Sequence, residues 1–423
     1  MRSPSEPGSV SELLEAALGP VMGPVEIGGL QRLSGGASRE TWSFSAQGRN
    51  LILRRDPPGR PGAPGSSRLE ADAMRACAGA GLAVPEVLLD DDGSRLGTEG
   101  LIMSAVPGET LARRILRDEQ YAHARQVLVA QLGAFLAGLH AIDPARVPGA
   151  AEVDELARYW ESYSMVPDRS PTFEKAHAWL EENRPPRAAT TIAHGDLRMG
   201  NVIVDGDGLA AVIDWELVHV GDPVEDLAWL CVKAWRFGAP LEVGGLGTVE
   251  QLIEAYEGAG GRRVDRPTFH WWLVQKTLQW GIGCMGQAWA HLSGAVRSHE
   301  LAAIGRRAAE QEWDLIELLA PDAWRSARSA PPPGVLPDTP GLYGRPTARE
   351  MLDAVRSFLT EDVMANTSGR LAFHARVAAN MIATVERELA QAPSAWDGGD
   401  DWESLALAVR DRLAVANPRH LGS

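Results

Sequence analysis

Between Val25 and Val106 apolar and polar positions alternate in short runs broken by turn residues, the period of half-buried strands. The runs are Val25–Leu33, Glu40–Ser45, Leu51–Arg55, Glu86–Asp90 and Gly100–Val106, with one helical stretch at Ser67–Cys77. They predict a small antiparallel sheet carrying one helix. Beyond Gly108 apolar residues recur at helical spacing in Tyr121–His140, Val153–Tyr163, Thr172–Asn183, Val249–Glu257, Pro267–Leu292 and Ser298–Leu319. A strand-rich island, Thr190–Trp215, interrupts them. Residues 321–344 then hold six prolines, too many for a helix or a central strand, and predict a stiff extended linker. After the linker, Thr347–Ala365, Gly369–Ala390 and Asp401–Ala416 are helical again, with apolar sets such as Leu352, Val355, Phe358, Leu359 and Phe373, Val377, Met381, Val385. The predicted order is an N-terminal extension with a short helix (1–24), a β-rich lobe (25–106), a mainly helical lobe (107–320), the linker (321–344) and an all-α accessory domain (345–423). No internal repeat is present.

Composition narrows the function classes. Against 41 basic residues stand 56 acidic ones, a net charge of −15 that argues against a nucleic-acid partner. Cys77, Cys231 and Cys284 are too far apart for a zinc ribbon or redox pair and too few for a disulfide scaffold, which fits a reducing cytoplasm. The start of the chain lacks a basic stretch followed by an apolar run. The most hydrophobic helical stretch, Trp271–Trp289, is interrupted by Gln275, Lys276, Gln279 and Gln287, so neither a signal peptide nor a membrane span is expected.

The chemistry concentrates in His194-Gly195-Asp196-Leu197-Arg198-Met199-Gly200-Asn201, followed thirteen residues after Asn201 by Asp214 in Val212-Ile213-Asp214-Trp215-Glu216. Phosphoryl transfer to an alcohol needs a carboxylate beside the attacking hydroxyl and oxygen ligands for magnesium on the nucleotide phosphates. Asp196 suits the first role, Asn201 and Asp214 the second. Strands Asn201–Val204 and Ala210–Ile213, turning at Asp205-Gly206-Asp207-Gly208, would bring the two metal ligands together. Either fragment alone reads better as a plain turn or strand end. Their combination at this spacing reverses that reading.

The β-rich lobe offers the remaining parts. Gly35, Gly36, Ala37 and Ser38 lie between two predicted strands, where backbone N–H groups can approach phosphate oxygens. The next strand should carry a phosphate-binding cation and the following helix a carboxylate to hold it; Arg54 and Glu70 are the candidates, with Arg55 the contender for the cation. The arrangement resembles the kinase pattern, which has a lysine on that strand, but the first lysine of this chain is Lys175, outside the lobe, so an arginine takes the role or nothing does. Met103, Ser104 and Val106, leaving the lobe before Pro107-Gly108, are the expected hinge whose backbone meets adenine. Asp222, Asp226, His140 and His194 are read as structural, and Trp271, Trp272, Trp280 and Trp289 as core.

By these residues the chain resembles the aminoglycoside phosphotransferase-like superfamily over roughly 25–320. The resemblance implies an α+β, bilobal protein-kinase-like fold, ATP as co-substrate, Mg2+ as cofactor and a small-molecule hydroxyl as acceptor. The loop Leu33–Ser38, the run Leu53-Arg54-Arg55-Asp56-Pro57-Pro58-Gly59, the pair Leu139-His140 and the segment Asp214-Trp215-Glu216 resemble more narrowly the phosphotransferases associated with acyl-CoA dehydrogenases. Members of that group phosphorylate the 4-hydroxyl of hydroxyacyl-CoA, which implies a CoA thioester as the acceptor. The region from Leu342 to Glu388, with Phe373-His374-Ala375-Arg376, resembles a small helical family found beside such kinases. It implies a companion module, through which self-association or a domain contact is the expected partner interaction. Two alternatives stay open: an aminoglycoside, choline or sugar kinase of the same superfamily, and a nucleotide-binding scaffold without catalysis.

Overall fold

The computed structural model describes residues 7–33, 39–59, 62–331, 333–342, 344–392, 396 and 398–422. The chain divides into two compact units, each built from two stretches of sequence: Met1–Val153 with Pro186–Phe269, and Asp154–Pro185 with His270–Ser423.

The first unit begins with helix α1 (Pro7–Met22) and a five-stranded antiparallel sheet of order β1-β2-β3-β5-β4. Its strands are β1 (Gly28–Arg32), β2 (Glu40–Ala46), β3 (Arg49–Arg55), β4 (Val87–Asp92) and β5 (Glu99–Ser104), with helix α2 (Ser66–Gly79) between β3 and β4. Alternation along β2 and β3 puts Trp42, Phe44, Leu51 and Leu53 on one face, where Val10, Leu14, Ala17 and Leu18 of α1 complete the core. The segment expected to be an N-terminal extension therefore belongs to the sheet's own core. Strand β5 ends at Ser104, two residues earlier than expected; the Ser104 N–H donates to Glu86 O at 2.8 Å and the Ala105 N–H to Asn50 O at 2.9 Å. The chain then turns at Gly108, φ +147°, where a Cβ would lie 2.5 Å from Ile203 Cγ2, so only glycine lets it pass this close to the next strand.

The rest of the first unit includes helices α3 (Ala112–Arg117) and α4 (Ala122–His140) and short strands β6 (Thr191–Ala193), β7 (Val202–Asp205), β8 (Gly208–Val212) and β9 (His219–Gly221), followed by helices Pro223–Cys231 and Val249–Gly258. Strands β7 and β8 pair antiparallel with Val202 opposite Val212. Their turn is closed by Asp205 Oδ1, which accepts from the Asp207 and Gly208 N–H groups at 2.8 and 3.1 Å. Glu109 and Val204 exchange backbone hydrogen bonds of 2.8 and 3.0 Å, which fixes the exit from the sheet against this hairpin.

The second unit is helical among its described residues. One core joins Leu156, Tyr163, Phe173 and Leu180 to Trp271, Val274, Leu278 and Ile282 of helix Arg266–Leu292. Another joins helices Ala308–Leu319, Pro321–Ser329 and Trp402–Ala416 through Trp313, Ile316, Trp324, Ala327, Val409 and Leu413. Residues 321–329 are helical rather than extended, since Pro321 occupies the first turn, where its missing N–H costs nothing, and the proline run starts only after the helix ends. The boundary expected at that linker is consequently bridged by packing. The expected helix Ser298–Leu319 is two helices, His299–Gly305 and Ala308–Leu319. Trp271 is buried as expected, but Trp289 is 38 % exposed. Val355, Phe358, Phe373 and Val385 on the helices after Thr347 are exposed as well. No helix of the described residues is long and apolar enough to cross a membrane.

Candidate active site

The site lies in the first unit, where the loop after β6 meets the end of hairpin β7–β8. Gly195 has φ +79°, and a Cβ there would stand 2.5 Å from Leu217 O, so this bend requires glycine. Under the bend lies Asp226, fully buried, which accepts from the N–H groups of His194 and Gly195 at 2.8 and 2.9 Å and contacts His140 Nε2 at 3.3 Å. Burial pushes the Asp226 carboxyl up, but His140 and the backbone donors outweigh it and hold it well below the usual carboxylate range. The His194 ring has one consistent proton arrangement. Its Nδ1 accepts from the Asp196 N–H at 3.1 Å, so the proton sits on Nε2 and is donated to Ile213 O at 3.1 Å. Burial lowers its pKa and keeps the ring neutral. The residues assigned to structure thus set the loop's shape: His194 ties it to the strand end that carries Asp214, and Asp226 ties it to helix Pro223–Cys231.

On this base Asp196 presents a nearly saturated carboxylate. Its Oδ1 accepts from Trp229 Nε1 at 2.8 Å and Arg198 Nε at 3.0 Å, and its Oδ2 from Asn201 Nδ2 at 2.6 Å. The Asn201 amide also donates to Asp196 O at 2.8 Å, which commits its nitrogen to the loop and leaves its oxygen as the group for a cation. Asn201 O accepts from the Ile213 N–H at 2.9 Å, so the hairpin sets Asn201 beside the residue preceding Asp214. Asp214 has φ +69°, a left-handed conformation for a residue with a Cβ, of the kind retained where surrounding structure imposes it.

Strand alternation separates the two arginines of β3. Arg55 points into the sheet's core, bonded to Glu40 at 3.3 Å and to Leu96 O at 2.9 Å. Arg54 points the other way and donates to Asp214 at 2.6 Å and to Glu70 of α2 at 3.4 Å. Burial would lower the Arg54 pKa, but Asp214, Glu70 and Glu216 raise it, so the guanidinium stays charged. Burial likewise pushes Asp214 up, and Arg54 offsets this, with Arg198, to leave it below its ordinary range. Burial moves the Glu70 carboxyl up to about 7 against the pull of Arg54 and Arg39.

Sequence reasoning missed Arg39, Arg198 and Trp229. Arg39 is buried, pairs with Glu70, lies 3.3 Å from Asp56 and donates to Ser66 Oγ at 2.7 Å. Arg198 stacks its guanidinium 4.8 Å above the Trp235 ring while bonding Asp196. Arg198 falls inside a motif already singled out and Trp229 lies three residues beyond Asp226, but no local pattern says that their side chains converge. Gly35, Gly36, Ala37 and Ser38 lie outside the described residues. Met103 and Ser104 sit on β5, paired with Ile52 and Leu51 of β3, and Val106 follows beyond the strand.

The sequence profile of the phosphotransferase enzyme family matches residues 29–272. A profile for a domain of unknown function (DUF6285) matches 365–399. Among curated proteins the chain is 30 % identical over 227 residues to acyl-CoA dehydrogenase family member 10 of Mus musculus, covering 50 % of this chain but only 20 % of that relative's length. It is 30 % identical over 205 residues to viomycin phosphotransferase of Streptomyces vinaceus, covering 43 % of this chain and 69 % of the relative. Among solved structures, aminoglycoside phosphotransferase APH(4)-Ia, in ternary complex with AMP-PNP and hygromycin B, superposes with a TM-score of 0.50 at 21 % identity, over 73 % of this chain and 98 % of its own. The fold is therefore kinase-like, and the chain belongs to the phosphotransferase enzyme family as a kinase with an alcohol group as acceptor.

Proposed function

We propose that the chain transfers the γ-phosphoryl group of ATP to a hydroxyl of a hydroxyacyl-CoA, with Asp196 as the carboxylate that receives the hydroxyl's proton. The observation carrying the proposal is the bonding of Asp196. A carboxylate has about four acceptor positions. Trp229 and Arg198 take two on Oδ1 and Asn201 takes one on Oδ2, so one position on Oδ2 remains for an acceptor O–H. The carboxylate is thus held in place before substrate arrives, which is the arrangement that lowers a barrier by positioning. As the hydroxyl oxygen bonds to the γ-phosphorus, its proton passes to Asp196 and the bond from phosphorus to the bridging oxygen breaks, releasing ADP.

The donor chemistry fits magnesium: the Asn201 amide oxygen and the Asp214 carboxylate are hard oxygen ligands, and Asp214 stays ionised. Magnesium bound there would neutralise phosphate charge. Arg54, bonded to Asp214, contributes a second fixed charge, with Glu70 setting its direction. Because the Ser104 and Ala105 N–H groups are already bonded within the sheet, adenine recognition falls to Val106.

The acceptor class rests on the likeness to acyl-CoA dehydrogenase family members, of which the chain matches a fifth to about two-fifths of the length. The likeness to viomycin phosphotransferase favours a second reading, an antibiotic kinase. An ADP-release screen across hydroxyacyl-CoAs, free hydroxy acids, amino alcohols and peptide or aminoglycoside antibiotics separates the two. The proposal expects the highest kcat/KM with a hydroxyacyl-CoA, and a preference for a cationic antibiotic would replace it with the second reading.

A further inference from the structure

We infer that the second unit carries a zinc-class metal site, formed by His299 and Glu300 at the start of helix His299–Gly305 and His374 on helix Gly369–Ala390. One potential ligand atom from each lies within 4.8 Å of the others. His374 falls in the stretch matched by the profile of unknown function, and the phosphotransferase chemistry uses none of the three.

Two observations favour a metal over an ordinary polar cluster. First, His299 Nε2 and His374 Nδ1 are both buried, and neither makes a hydrogen bond. Buried nitrogens without a hydrogen bond are uncommon, since each forfeits its hydration. Second, Glu300 Oε1 stands 2.9 Å from His374 Nδ1, close enough for an ion pair, while that nitrogen has no hydrogen-bond geometry to any group. The oxygen and two ring nitrogens thus converge on one another without satisfying one another. Two imidazoles and a carboxylate are the donor set of a zinc site with one position left open. Magnesium and calcium prefer oxygen ligands throughout. Zinc–nitrogen bonds of about 2.0–2.1 Å in a tetrahedral arrangement need ligand atoms about 3.3 Å apart, within reach of small side-chain rotations.

The contact that opposes binding is also visible. Arg370 Nε donates to His374 Nε2 at 2.9 Å on the exposed side of the ring. When Nδ1 binds a metal, the neutral ring carries its proton on Nε2, so Arg370 must swing away. The site joins the same two segments that the exposed Arg306–Glu388 pair joins at 2.7 Å, so a bound ion would fasten helix Gly369–Ala390 to its neighbour within the unit.

The test uses the untagged full chain with zinc chloride and excess Mg2+, which competes for oxygen sites but poorly for imidazoles. Calorimetry should show one tight equivalent. Zinc should raise the melting temperature by about 5 °C and slow amide exchange along Gly369–Ala390. His299→Ala, Glu300→Gln and His374→Gln should each weaken binding at least tenfold, and Arg370→Ala should leave it equal or tighter. All four positions are partly or fully exposed, and circular dichroism will show that the variants fold. Absence of a tight equivalent, several weak ones, or binding unchanged in the histidine variants would overturn the assignment. None of these outcomes depends on the acceptor substrate.

Discussion

The two neighbouring arginines of β3 should fail in different ways. Arg54 is 13 % exposed, faces the site and bonds Asp214 and Glu70. Removing a preorganised donor to charge developing in a transition state costs about 2.7–4 kcal/mol, or about a hundred- to a thousandfold in kcat. The loss of stability should be smaller, about 1–2 kcal/mol, because Glu70 keeps Arg39 and Asp214, 26 % exposed, can be hydrated. Arg55 is 1 % exposed and bonds Glu40 and Leu96 O in the core. Breaking such a buried pair costs about 3–5 kcal/mol of stability, yet no part of the side chain faces the site. Coupled ADP release and urea denaturation on Arg54→Ala and Arg55→Ala read both quantities. Glu70→Ala should destabilise more than Arg54→Ala, since it also takes one carboxylate from buried Arg39 and leaves it Asp56 and Ser66, and its effect on kcat should overlap that of Arg54→Ala in the double variant. A folded Arg55→Ala without activity beside a fully active Arg54→Ala would refute the reasoning.

Asp214→Ala should abolish magnesium-dependent nucleotide affinity, and calorimetry with and without Mg2+ checks this. Trp229→Phe keeps the ring but loses the bond to Asp196 Oδ1, so kcat should fall about tenfold, for about 1–1.5 kcal/mol, while the KM for ATP stays constant. The Asp226 carboxyl is depressed in the folded chain, so only the unfolded chain takes up its proton as pH falls below the ordinary value of 3.8. Its stabilisation is complete above that pH and is lost below it. Asp226→Asn should lower stability at pH 7 by about 2–3 kcal/mol and flatten the acid limb in urea denaturation at pH 3 to 7.

The placement of Asp196, Asn201 and Asp214 was legible because it depends on local spacing: a short hairpin with an Asp-Gly turn fixes where Asn201 and Asp214 lie. The choice between Arg54 and Arg55 was reducible to strand alternation, although not its sign. What escaped depends on partners distant in sequence. Trp229 bonds a carboxylate 33 residues earlier, and Arg54 one 160 residues later. Helix α1 looked like an extension because amphipathicity alone does not name the sheet it covers. The proline-rich linker misled through count rather than position, since one proline starts a helix and the others follow its end. The division into units built from separated stretches has no local signature at all.

The central claim is that Asp196 acts on the acceptor hydroxyl and not on the nucleotide. The measurement is acceptor-dependent ADP release by Asp196→Asn beside the wild type, with ATP affinity determined by calorimetry on the same samples. The account predicts a loss of at least about a hundred- to ten-thousandfold in kcat with ATP affinity within about twofold. Near-normal turnover in the folded variant would contradict it.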